Sequence, residues 1–273
     1  MQTSELISRI EKTADPRLAA SWDQSGMQVA GTKDEIQRLA LTLDPTLECI
    51  HRALAWQADF ILTHHPVTLT PELPKRRDRL HRLLCQLLGT GTALYAAHTS
   101  LDVQTSGPVS WLAQVLHLRQ PRPVHSIHSQ APAQPEPRPL GYGIIGTLPQ
   151  AMGWTEREKQ LHHHLGSGGW IRTGAIPEHI SCIAYCPGSG MDFAPEAFAQ
   201  GADIFLSGDL KYHQAQDLEP LGLTLDVGHF VLEEAMMAQW ARELDQEFQD
   251  LEVRFFPGHD PLILEADPSA QPG

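Results

Sequence analysis

The segment Phe60-Ile61-Leu62-Thr63 is apolar up to its last residue and runs directly into His64-His65-Pro66. A short apolar run without alternation reads as a strand buried inside a sheet that helices cover. Pro66 cannot extend a ladder and stops the strand. Two adjacent imidazoles therefore stand at the carboxyl end of a strand, where open α/β sheets hold their ligands. Two later segments repeat the form. His98-Thr99-Ser100-Leu101-Asp102 and His229-Phe230-Val231-Leu232-Glu233 each follow an apolar strand-like run, and each sets a carboxylate four residues after a histidine.

Around these segments the pattern alternates. Strand-like runs at residues 39–43, 60–63, 93–97, 142–147, 180–185, 204–206, 223–226 and 253–256 are separated by helix-like runs at 4–13, 46–57, 76–88, 110–118, 155–165, 192–200 and 231–248. That order predicts an α/β fold with mixed, largely parallel sheets. Residues 119–139 hold six prolines and almost no periodicity, which reads as a linker. The expected division is a first α/β unit over 1–120, a Pro-rich linker over 121–140 and a second unit over 141–273. The C-terminal part of the second unit is expected to pack back on the first.

The two units resemble one another. Gln57-Ala58-Asp59-Phe60-Ile61-Leu62-Thr63 parallels Gly201-Ala202-Asp203-Ile204-Phe205-Leu206-Ser207. Both follow a helix, enter a strand through Ala-Asp and leave through a small hydroxyl residue. A duplicated α/β unit would set two related three-layer halves face to face, with a cleft between them.

Composition narrows the functional classes. A formal charge of −13 opposes sequence-independent nucleic-acid binding and attachment to an anionic membrane surface. No apolar run approaches the roughly 20 residues of a membrane span. The start, Met1-Gln2-Thr3-Ser4-Glu5-Leu6, lacks the basic and apolar regions of a signal peptide, so the expected location is the cytoplasm. Four cysteines without a Cys-x-x-Cys pair indicate buried thiols and no disulfide framework.

Histidine with carboxylate favours zinc, iron, manganese or nickel over calcium or magnesium, which prefer oxygen shells. Each residue also has an ordinary reading. His64 and His65 could be surface histidines at a strand end, Glu233 could answer a helix dipole, and Asp102 could cap a turn. Three such pairs at three strand ends favour a metal centre jointly. His98, one helical turn from Asp102, could shuttle a proton or orient a ligand. The small-residue turn Gly188-Ser189-Gly190 and the segment Gly208 to His213, with Lys211, could bind a small anionic molecule. The basic run over residues 76–88 reads as a solvated helix face.

At these residues the chain resembles the Nif-three-like family, whose bacterial members are labelled GTP cyclohydrolase 1 type 2 homologs. The resemblance is carried by Trp22-Asp23-Gln24-Ser25-Gly26-Met27-Gln28-Val29, by residues 58–66 and 95–102, and by Gly188-Ser189-Gly190, residues 201–213 and 228–233. It covers nearly the whole chain. It implies a two-domain α/β protein that assembles as a toroidal homohexamer and holds two divalent metal ions in its cleft. Carried over, the ligands are His64, His65, Asp102, His229 and Glu233, with Glu233 bridging. The implied activity is metal-dependent hydrolysis; a non-enzymatic, ring-forming metal-binding protein is the alternative. Ala30, Gln214 and the Pro-rich segment depart from the family pattern, and none is a proposed ligand.

Overall fold

A computed structural model describes residues 1–127, 139–166 and 168–263. Its first sheet has five strands: β1 (Gly26–Val29), β2 (Arg38–Thr42), β3 (Phe60–Thr63), β4 (Ala93–Ala96) and β11 (Glu252–Phe255). They lie in the order β1-β4-β3-β2-β11, parallel except for the β1–β4 pair. The second sheet has six: β5 (Arg119–Ser126), β6 (Gly141–Met152), β7 (Ile171–Thr173), β8 (Ile180–Tyr185), β9 (Ile204–Ser207) and β10 (Leu223–Asp226). Their order is β5-β6-β8-β9-β10-β7, with β8-β9-β10 parallel and the flanking pairs antiparallel. The predicted α/β class, with mixed sheets parallel at their centres, is the observed one.

Strand pleating sorts the core. Leu39, Leu41, Phe60 and Leu62 point into a large cluster shared with α1 (Thr3–Thr13), α6 (Trp154–Leu165) and α9 (His229–Glu247), and with Ile183, Ile204 and Leu206 of the second sheet. Ala40, Ile61 and Leu94 point the other way, onto α2 (Leu47–Ala55) and α3 (Arg79–Thr90). On the outer face of the second sheet, Ile145, Ala184 and Phe205 pack under α7 (Ala194–Ala199) and α8 (Tyr212–Leu218). Strands buried on both faces read as continuous apolar runs, which is why the central ones were visible in sequence.

The internal repeat has a physical basis. The β2-α2-β3-α3-β4 order of the first sheet recurs as β8-α7-β9-α8-β10 in the second. The helix before β3 ends with Gln57 at φ 62°, and the one before β9 with Gly201 at φ 91°, both the left-handed turn that stops a helix. Asp59 Oδ2 then accepts from the backbone N–H groups of Gln37 and Arg38, at 2.8 and 3.0 Å. Asp203 Oδ2 accepts from those of Ser181 and Cys182, at 2.7 and 2.8 Å. Each Ala-Asp pins the start of the neighbouring strand.

Two sequence expectations change. Residues 119–126, placed in the linker, form the edge strand β5 against β6; residues 128–138 lie outside the described residues. An edge strand tolerates Pro121 and Pro123 because it needs only half its ladder bonds. The last long helix begins at His229 rather than after it, so His229 and Glu233 share one helical face. The C-terminal strand β11 joins the first sheet beside β2.

Candidate metal centre

The carboxyl ends of β3 and β4 and the first turn of α9 converge. His64 and His65 follow β3 directly, and Asp102 closes α4 (Thr99–Asp102), the short helix after β4. His229 and Glu233 come from α9, where Glu233 is buried among Leu232, Met236 and Met237. His64 Nε2 lies 3.4 Å from Glu233 Oε1 and 3.7 Å from Asp102 Oδ1. Glu233 Oε2 faces His65 Nε2 at 3.1 Å and His229 Nε2 at 2.8 Å. Ligand-capable atoms form two overlapping groups, His64/His65/His98 and His65/His229/Glu233, each within 4.8 Å.

Every histidine is held from behind. His64 Nδ1 donates to the Ala97 carbonyl at 2.8 Å, which requires the proton on Nδ1 and leaves Nε2 facing inward. Nδ1 of His65, His98 and His229 sits 2.7 Å from the carboxylates of Asp44, Asp23 and Asp209 respectively. Such carboxylate–imidazole pairs fix the tautomer and ring orientation of a ligand histidine. Asp23 also accepts from Ser25 and from the Thr99 hydroxyl, both at 2.6 Å, so the Trp22–Ser25 turn serves to set His98. Asp209 adopts a left-handed φ of 61° that aims its carboxylate at both His229 and Ser189. None of these three aspartates was singled out as functional from sequence. The signal each offered, an Asp in a turn at a strand end or before one, is too common to single out.

The charge state follows from the packing. Burial alone would raise the Glu233 carboxyl, but His64, His229 and His65 around it hold it well below the carboxylate range. Burial alone would lower His65; Asp44 and Glu233 outweigh it and lift the imidazolium to about 10. His229 is lifted likewise to about 9 by Glu233 and Asp209. Burial pushes Asp102 up to about 7, against the pull of His64.

These residues fit a metal. His64 Nε2, Asp102 Oδ1, His229 Nε2 and Glu233 Oε2 are all buried without a hydrogen-bond partner in the protein. His229 and Glu233 approach to 2.8 Å yet lack hydrogen-bond alignment. Unpaired buried groups of this kind are costly, and a shared cation satisfies imidazole nitrogens and carboxylate oxygens together. Gly188, at φ 68°, lets its loop lie against the Glu233 carboxylate; a Cβ there would collide with Oε1.

His65 and His229 form part of two cavity walls. One cavity, of about 750 Å³, is lined by Trp22, Leu69, His98, Tyr142, Ser189 and Phe193 among others. The other, of about 960 Å³, is lined by Leu43, Trp170, Phe230, His259 and Leu262 among others. Ser189 therefore reaches the cluster. Lys211 does not: it is exposed at the start of α8, in a separate hollow beside Asp192 and Asp209.

Two α/β sheets with a histidine–carboxylate group between them define an α/β protein with a candidate metal centre. The family profile of Duf34/NIF3 (NGG1p interacting factor 3) matches residues 1–261. The chain belongs to this family. It is 32% identical over 238 residues to a GTP cyclohydrolase 1 type 2 homolog of Nostoc sp., covering 85% of this chain and 87% of that one. A protein of the same name from Clostridium perfringens is 30% identical, covering 93% and 95%. Among solved structures, a Bacillus cereus protein related to NIF3 superposes with TM-score 0.84 at 20% identity, covering 97% and 99%. Reduced HcgD from Methanocaldococcus jannaschii superposes with TM-score 0.76 at 27% identity, covering 94% and 97%. Among the described residues, no helix is long and apolar enough to cross a membrane.

Proposed function

We propose that the chain binds two divalent metal ions, zinc, iron, manganese or nickel, and uses them in hydrolysis. The observation that carries this reading is that His64, His229 and Glu233 bring buried, unpartnered ligand atoms to two residue groups that share His65, with a fourth such atom, Asp102 Oδ1, 3.7 Å from His64 Nε2. His64, His65, Asp102, His229 and Glu233 would hold the ions; Glu233 turns Oε1 toward His64 and Oε2 toward His65 and His229. His98 stands in the first ligand group with its Nδ1 fixed, and this reading makes it a ligand before a proton shuttle. Residues 1–120 thus supply one jaw of the site and residues 141–273 the other.

Bound divalent ions supply Lewis acidity toward a carbonyl, a ring carbon or a phosphoryl group. The protein's own part is to orient the imidazoles through Asp23, Asp44 and Asp209 and to admit substrate between Trp22 and Ser189. The relatives' name, GTP cyclohydrolase 1 type 2 homolog, agrees with a ring-opening hydrolysis. A small anionic substrate, a cytoplasmic location and a toroidal homohexamer complete the reading.

The test has two parts. Protein as purified, assayed with nucleotides, phosphoesters and cyclic amides under zinc, manganese and iron, turns over at least one class. The double change His64→Ala, Glu233→Ala abolishes both turnover and bound metal. Bound metal without turnover of any class would replace the hydrolase with a metal-binding scaffold. Light scattering on the same sample gives a mass near six chains, and a monomer would remove the ring.

A further inference from the structure

A quarter of the chain's twenty lysines and arginines fall within eight consecutive residues: Lys75, Arg76, Arg77, Arg79 and Arg82, against the one carboxylate of Asp78. In a chain of net charge −13 this is a strong local reversal. All five are exposed. None of the five makes an ion pair among the described residues, whereas Arg9, Arg17, Lys33, Arg38 and Arg52 all do. Local folding does not ask for them either. Arg79 and Arg82 stand in the first turn of α3, where the helix dipole disfavours cations. Cations placed against the dipole and left unpaired are a local cost of the kind retained for a ligand.

The segment has a defined position. The chain leaves β3 through His64 and His65, and the loop that follows carries Leu69 into the 750 Å³ cavity before reaching Lys75. Arg79 then donates to the carbonyls of Pro45 and Val67, at 3.4 and 3.3 Å. Pro45 adjoins Asp44, the partner of His65, and Val67 lies two residues beyond His65. Arg79 thereby ties the basic segment to the shoulder of the metal-facing residues. Its role there is anchoring; Arg82 Nε donates to the Asp78 carbonyl at 3.4 Å, and its other guanidinium nitrogens, with Lys75, Arg76 and Arg77, are left to meet a ligand.

We propose that these four cations form a docking site for a compact polyphosphate group, placed to hold the tail of a ligand whose other end enters the cavity beside His65 and His98. The cavity half rests on the metal-centre reading; the phosphate half does not. Guanidinium forks pair with phosphate oxygens two at a time, and a tripolyphosphate concentrates its charge within the short reach of this patch, whereas a carboxylate chain of equal charge spreads it over a longer backbone. The patch is too short for a nucleic-acid duplex, whose binding typically draws on about six to ten phosphate contacts. The remaining acidic surface also repels an extended polyanion.

The test uses the full-length protein and calorimetric titration with inorganic tripolyphosphate at low salt. The wild type binds it, and affinity falls as salt rises. The triple change Arg76→Gln, Arg77→Gln, Arg82→Gln weakens binding at least tenfold, with an unchanged melting curve and unchanged metal content. Equal binding by wild type and variant, or no binding by the wild type, overturns the site. A glutamate oligomer of matched charge binding as tightly as tripolyphosphate overturns phosphate selectivity. A nucleoside triphosphate binding more tightly than tripolyphosphate supports a head group in the cavity, and equal affinity overturns that half. Metal content, read by elemental analysis in each sample, separates the two proposals. Protein without metal that still loses tripolyphosphate through the triple change keeps the patch and discards the metal centre.

Discussion

Replacing Asp44 by Asn separates two ways in which one carboxylate acts on the site. Asp44 grips His65 Nδ1 at 2.7 Å while Glu233 faces Nε2 at 3.1 Å. With its proton held up to about 10, His65 at pH 7 must give that proton up before Nε2 can bind a metal. Three pH units of competition correspond to about a thousandfold in affinity, or about 4 kcal/mol. Asp44 contributes to that penalty, yet it also orients the ring, and losing such a partner typically costs about 10–100-fold in metal affinity. Asn keeps an oxygen for Nδ1–H but removes the charge. At pH 7 the two effects oppose, and the variant shows a small deficit. Near pH 9.5 proton competition has shrunk to about fourfold, so the orienting loss dominates. Zinc affinity measured by competition with a chromophoric chelator therefore rises less steeply with pH in Asp44→Asn, and the deficit widens toward about 10–100-fold. A deficit that is constant with pH, or absent at pH 9.5, would refute the assigned role.

Three further outcomes follow from the same geometry. His98→Ala lowers bound metal in elemental analysis, because His98 belongs to a ligand group while Asp23 holds its Nδ1; intact metal with turnover slowed about 10²–10⁴-fold would make it a proton shuttle instead. Gly188→Ala combines an unfavourable positive φ with a clash against Glu233, and chemical denaturation should show a loss of about 1–3 kcal/mol together with weakened metal binding. In metal-free protein the raised folded-state positions of His65 and His229 stabilise fully below about 6.5, their ordinary value, and that stability is lost as pH rises through about 9 to 10. Asp102, raised from 3.8 to about 7, acts in the same direction over a lower window. Melting temperature without metal thus falls between pH 7 and 10, while the gain on adding metal grows; a flat metal-free profile would contradict it.

The residues that converge at the candidate site could be read in sequence because each sits where local sequence announces it. Buried parallel strands are apolar throughout, so the residue after the strand is conspicuous, as with His64-His65 after β3 and His98 after β4. His229 and Glu233 were visible as a carboxylate four residues after a histidine, but their shared helical face emerged only with the helix starting at His229. The residues that orient them were not legible. Asp23 reaches His98 across 75 positions, Asp44 reads as a turn former beside Pro45, and Asp209 lies in a segment read for anion binding. Nothing in a pairwise spacing distinguishes an Asp that turns the chain from one that also grips an imidazole. Strand β5 was hidden for a different reason: its prolines suit an edge, and edge pairing has no periodicity of its own. Lys211, chosen for charge and for its place in the repeat, falls in a neighbouring hollow because Asp209 turns the chain away from the cluster.

The central claim is tested most directly by anomalous diffraction from crystals of protein purified without chelator, at the absorption edge of the metal found in it. The account predicts two peaks about 3.5–4 Å apart. One would lie against His64 and Asp102, the other against His229, with Glu233 between them. A single peak, a pair of peaks away from Glu233, or none would contradict a dinuclear centre at this site.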